Sequence, residues 1–68
     1  MSVRIQVNGE AREVPDGSTL VDLVEDQGLR PEQVAVELNQ EVVARDARAA
    51  TRLRAGDLVE LVTLVGGG

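Results

Sequence analysis

Val3, Ile5 and Val7 alternate with Arg4 and Gln6. This period of two predicts a strand with one buried face. Asn8-Gly9 tolerates the positive φ angles of a tight hairpin turn, so 11–14 is expected to return as a second strand, closed by Pro15-Asp16-Gly17. A helix signal follows. Ser18 or Thr19 can cap its start, and Asp22 stands three residues after Thr19 as in a capping box. Leu20, Leu23 and Val24 fall at i, i+3 and i+4 and share a face, and Gly28 is placed to end the helix in the left-handed conformation. Pro31-Glu32-Gln33 can start a short helical turn.

The pattern then returns to strands. Val34, Val36 and Leu38 lie on one side of a strand over 34–38, Asn39-Gln40 makes a turn, and 41–44 forms a short strand. Residues 45–54 show no clear period and are expected to be irregular or a short helical turn. Ala55-Gly56-Asp57 turns into a last strand over 58–65. This order predicts an α+β domain: a mixed sheet of four to five strands packed on one helix, with the first and last strands parallel at its centre. Residues 1–65 form that domain, and 66–68 are expected to be a flexible tail.

The last strand carries aliphatics on both faces. With a period of two, Val59 and Leu61 would face the helix, leaving Val62 and Leu64 outward near the end of the sequence. An exposed aliphatic patch there suggests docking to a partner, through Glu60, Val62, Leu64 and Val65. Gly66, Gly67 and Gly68 are the thinnest peptide available and the most expensive to order. Three extended residues reach about 10 Å. Such a tail can enter a narrow channel and present its carboxylate inside another protein. A frayed terminus would also end in small residues, but the agreement with the strand and helix order favours a working tail.

Composition narrows the chemistry. Sixty-eight residues make one small domain. With no Cys and no His, thiolate nucleophiles and the usual zinc ligands and general base are missing, and no metal site is expected. With no Phe, Tyr or Trp there is no platform for stacking bases, and the net charge of −5 opposes a polyanion, so nucleic acid is not expected as a partner. All seven basic residues are Arg, so no side-chain amine is available for isopeptide bonds. Glu10 with Glu13 and Glu25 with Asp26 read as solvated charge, as do Arg45, Arg48, Arg52 and Arg54. No apolar run spans a bilayer and no signal peptide is evident, so no membrane association and a cytoplasmic location are expected.

The chain resembles the ThiS family, the bacterial sulfur carriers of thiamine biosynthesis within the ubiquitin-like β-grasp superfamily. The matching stretches are Val7-Asn8-Gly9-Glu10, Pro15 to Leu20, Val34-Ala35-Val36-Glu37-Leu38-Asn39, Gly56-Asp57 leading to Val59-Glu60-Leu61-Val62, and Gly67-Gly68. The resemblance implies a cosubstrate with no catalytic residues and no bound cofactor. A ThiF-like adenylating enzyme would use ATP to activate the Gly68 carboxylate, with Gly66 and Gly67 threaded into its site. A sulfur donor would then leave a thiocarboxylate, and thiazole synthase of the ThiG type would accept the sulfur. Carriers for molybdopterin, tRNA thiolation or a secondary metabolite share this chemistry. A ubiquitin-like protein modifier is the alternative from another class.

Overall fold

A computed structural model describes residues 1–64. The strands are β1 (Ser2–Val7), β2 (Glu10–Pro15), β3 (Val34–Leu38), β4 (Glu41–Val43) and β5 (Leu58–Thr63), with one helix, α1 (Leu20–Asp26). They form a single mixed sheet in the order β2-β1-β5-β3-β4. The β1–β5 pair is parallel and the other three pairs are antiparallel. The last strand therefore lies in the middle of the sheet.

Local chemistry sets each boundary. The β1–β2 turn puts Asn8 at φ +52° and Gly9 at +84°, and the β3–β4 turn puts Asn39 at +52° and Gln40 at +73°. Positive φ at both central residues suits the right-handed twist of the flanking strands. At α1 the capping box forms on Thr19: its hydroxyl accepts from the Asp22 amide at 3.3 Å, and the Asp22 carboxylate accepts from the Thr19 amide at 2.9 Å. Ser18 is buried instead, its hydroxyl donating to the Pro15 carbonyl at 2.6 Å. Gly28 at φ +75° ends the helix, and the Leu29 amide reaches back to the Val24 carbonyl at 3.2 Å.

Seven residues are too few for a helix to stand alone. It is held by what it buries. Leu20, Leu23 and Val24 pack on the inward side chains Ile5, Val7, Val14, Val34, Val36, Val59 and Leu61. Full burial of such side chains contributes about 1.5–3 kcal/mol each.

The segment expected to be irregular or a short helical turn holds two buried residues. Arg45–Ala50 is a 3-10 helix, and Thr19 bridges Arg52 beyond it. Leu53 is 2% exposed and belongs to the core, held there as its backbone N–H donates a hydrogen bond to the Ser18 carbonyl at 2.8 Å. The sequence pattern puts Arg48 on the surface with Arg45, Arg52 and Arg54. The structure corrects this: Arg48 is buried at 5% exposure, whereas the other three are exposed. The reason is backbone satisfaction. Its guanidinium donates to the Pro31 carbonyl at 3.0 Å and the Val34 carbonyl at 2.7 Å, where the chain enters β3. Buried carbonyls need donors, and a long forked side chain supplies two. Several strand ends also differ from expectation: β2 runs over Glu10–Pro15, one residue longer at each end, β4 stops at Val43 and β5 at Thr63. Leu64 lies past the last β3 partner, although its amide still donates to the Gln33 carbonyl at 2.7 Å. Val65 lies outside the described residues.

Leu53→Ala is expected to lower the unfolding free energy by about 2–5 kcal/mol, the range for a buried leucine. Urea titration checks it. A loss below about 0.5 kcal/mol, on the order of a surface change, would show that Leu53 is not part of the core.

Candidate functional site: the outer face of the sheet

The helix covers one face of the sheet, and the register fixes what the other presents. Val36 pairs with Leu61 and both are buried, so their neighbours along each strand point outward. Those neighbours are paired too: Ala35 stands opposite Val62, Glu37 opposite Glu60, and Val42 opposite Glu37. The outward set on β5 is thus Leu58, Glu60 and Val62, with Leu64 continuing the alternation just past the strand.

Three of the residues expected to dock a partner sit where the pattern places them. Glu60, Val62 and Leu64 are exposed on this face, Val62 at 50% and Leu64 at 53%. The fourth, Val65, lies outside the described residues, as do Gly66, Gly67 and Gly68. The sequence reading missed three contributors. Leu58 (48% exposed) and Val42 (76% exposed) add aliphatic surface, and Glu37 stands directly across from Glu60. The turn chemistry of Asn39-Gln40 held the signal for Glu37 and Val42, because a two-residue turn fixes the β3–β4 register.

Like charges set directly opposite on neighbouring strands repel. Among the described residues the one ion pair is Arg12 with Asp26 at 3.5 Å, so neither Glu37 nor Glu60 has a salt-bridge partner there. The face combines exposed aliphatics with two adjacent carboxylates. That suits a partner surface that is apolar with a basic centre.

Two concavities lie elsewhere. One of about 480 Å³ runs between β2 and α1, lined by residues including Glu13, Asp16, Asp22 and Asp26. The other, of about 250 Å³, is lined by Val21, Val24, Glu25, Pro31, Arg45 and Arg48. Neither contains a nucleophile paired with a base. Among the described residues, no group of three or more acidic residues is arranged to hold a metal ion, and no helix is long and apolar enough to cross a membrane.

A five-strand mixed sheet wrapped on one helix, with its first and last strands parallel and adjacent at the centre, defines the ubiquitin-like β-grasp class. Similarity to known proteins narrows the class. The ThiS family profile matches residues 5–68. The sulfur carrier protein ThiS of Thermus thermophilus is 39% identical over 64 residues, 94% of this chain and 98% of that protein. The crystal structure of the thiamine biosynthesis protein ThiS of Geobacter metallireducens superposes with a TM-score of 0.81 at 35% identity, over 97% of this chain and all of that one. A thiazole synthase of Magnetococcus marinus is 41% identical over 66 residues, 97% of this chain, which spans only 20% of that protein's length. The chain belongs to the ThiS family, the sulfur carrier proteins of thiamine biosynthesis.

Glu60→Gln removes the repulsion with Glu37. It is expected to stabilise the fold by about 0.2–1 kcal/mol at low ionic strength, a gain that shrinks as salt screens the pair. Thermal melts at two salt concentrations check it, and a destabilised variant would mean that Glu60 makes a favourable contact instead.

Proposed function

We propose that this chain carries sulfur on the carboxylate of Gly68 for thiazole formation. The observation that carries the reading is the junction of two features: an exposed aliphatic and acidic face on β5, and three glycines that follow it in the sequence. The reading requires Gly68 to end the functional chain.

A carboxylate resists attack because its charge is spread over both oxygens. Adenylation removes that resistance. In the proposed sequence a ThiF-like enzyme binds the outer face through Glu60, Val62, Leu64 and Val65. Gly66 and Gly67, having no side chains, pass through a narrow channel. The Gly68 carboxylate attacks the α-phosphate of ATP and releases pyrophosphate. A sulfur donor then displaces AMP at the Gly68 carbonyl: hydrosulfide gives the thiocarboxylate directly, whereas a persulfide gives an acyl disulfide that a thiol must cleave. The thiocarboxylate passes its sulfur to a thiazole synthase. ATP is a substrate of the partner, and this chain supplies no catalytic group. The thiazole synthase of Magnetococcus marinus, a fifth of which aligns with this chain, supports an acceptor of that type. Residues 66–68 act as a tail separate from the domain body in this reading.

The test is ATP–pyrophosphate exchange by the cognate adenylating enzyme. The full chain is expected to support exchange, and a chain ending at Gly66 to give none. Val62→Arg, which changes an exposed side chain, is expected to raise the KM for the carrier about tenfold or more while leaving the melting temperature nearly unchanged. Equal exchange with the full and shortened chains would overturn the role of Gly68.

A further inference from the structure

Asn8 reads in the sequence as a turn residue, and its φ of +52° agrees with that use. Its side chain has a second task. The parallel β1–β5 ladder has only two registered pairs, Gln6 with Leu58 and Val7 with Val59. At Asn8 the β1 chain turns away towards β2, after its amide donates to the Val59 carbonyl at 2.9 Å. The next groups on that edge of β5 belong to Leu61. The Asn8 side chain meets both: its Oδ1 accepts from the Leu61 amide at 2.8 Å, and its Nδ2 donates to the Leu61 carbonyl at 3.3 Å. A carboxamide has the donor and acceptor of a peptide group. It therefore stands in for the β1 residue that the turn has removed.

Asn39 does the corresponding work at the other end of β5. It also has φ +52°, and its Oδ1 accepts from the Leu58 amide at 2.9 Å. Two left-handed asparagines, each following a neighbour of β5, thus bracket the strand at Leu58 and Leu61. Glycine would satisfy either turn conformation at least as well. Only asparagine adds the clamp.

We propose that Asn8 is a positioning residue for delivery of the glycines that follow β5. It extends two-sided support of β5 to Leu61, beside the docking residues Glu60 and Val62. From there to Leu64 the strand is bonded on its β3 side, through Ala35 and Gln33. The clamp fixes the heading of the strand before a partner binds, so less ordering is left to the encounter. The delivery role rests on the carrier reading above; the clamp itself does not.

The test compares Asn8→Gly with Asn39→Gly. Each keeps its turn and removes its clamp. In Asn8→Gly the Leu61 amide is expected to exchange about tenfold faster with deuterium, the effect of losing roughly one net hydrogen bond's worth of protection. The KM for the carrier in ATP–pyrophosphate exchange should rise several-fold, with kcat unchanged. Asn8→Asp, which keeps the acceptor and loses the donor, should fall between. Asn39→Gly should speed exchange at the Leu58 amide and raise KM clearly less than Asn8→Gly does. Unchanged Leu61 exchange in Asn8→Gly would overturn the clamp. Equal rises in KM for both glycine variants would reduce Asn8 to a general stabiliser and overturn the positioning role. A wild-type chain that supports no exchange of pyrophosphate would instead overturn the carrier reading, and with it the delivery role, while the deuterium result would still judge the clamp.

Discussion

The hold on β5 is the constraint from which the rest follows. It is the last strand in sequence and the central strand in space, with β1 on one side and β3 on the other. Its inward residues Val59 and Leu61 sit in the core, so it cannot slide without moving them to the wrong face. A strand fixed in this way gives whatever follows it a defined origin. The outward residues Leu58, Glu60 and Val62 belong to the same six residues as the inward Val59 and Leu61.

A small domain has little surplus stability, and polar groups carry much of the organisation here. Arg48 satisfies carbonyls at the entry to β3, Thr19 and Asp22 close the first turn of α1, and Asn8 and Asn39 complete backbone pairing on β5. Each supplies hydrogen bonds where a regular ladder or helix runs out. The chain has no cysteine, so these bonds and the aliphatic core set the register without a disulfide.

Much of this is legible in the sequence because periodicity and turn chemistry act over short distances. Val3, Ile5 and Val7 show their common face directly, and Asn8-Gly9 names its own turn. Arg48 and Leu53 are not legible. Their burial depends on Pro31, Val34 and Ser18, which are distant in sequence, and a segment without a period gives no local sign of it. The opposition of Glu37 and Glu60 is hidden for the same reason, since it exists only when β3 and β5 are paired. Likewise Asn8 looks like a turn residue until Leu61 is brought beside it.

The central proposal is chemical: sulfur would be carried on Gly68. Intact mass spectrometry tests it most directly, after incubation with the cognate adenylating enzyme, ATP and a sulfur donor. The account predicts a mass gain equal to the exchange of one oxygen for one sulfur, localised by fragmentation to Gly68. An unchanged mass beside an enzyme shown to be active, or sulfur found on any other residue, would contradict it.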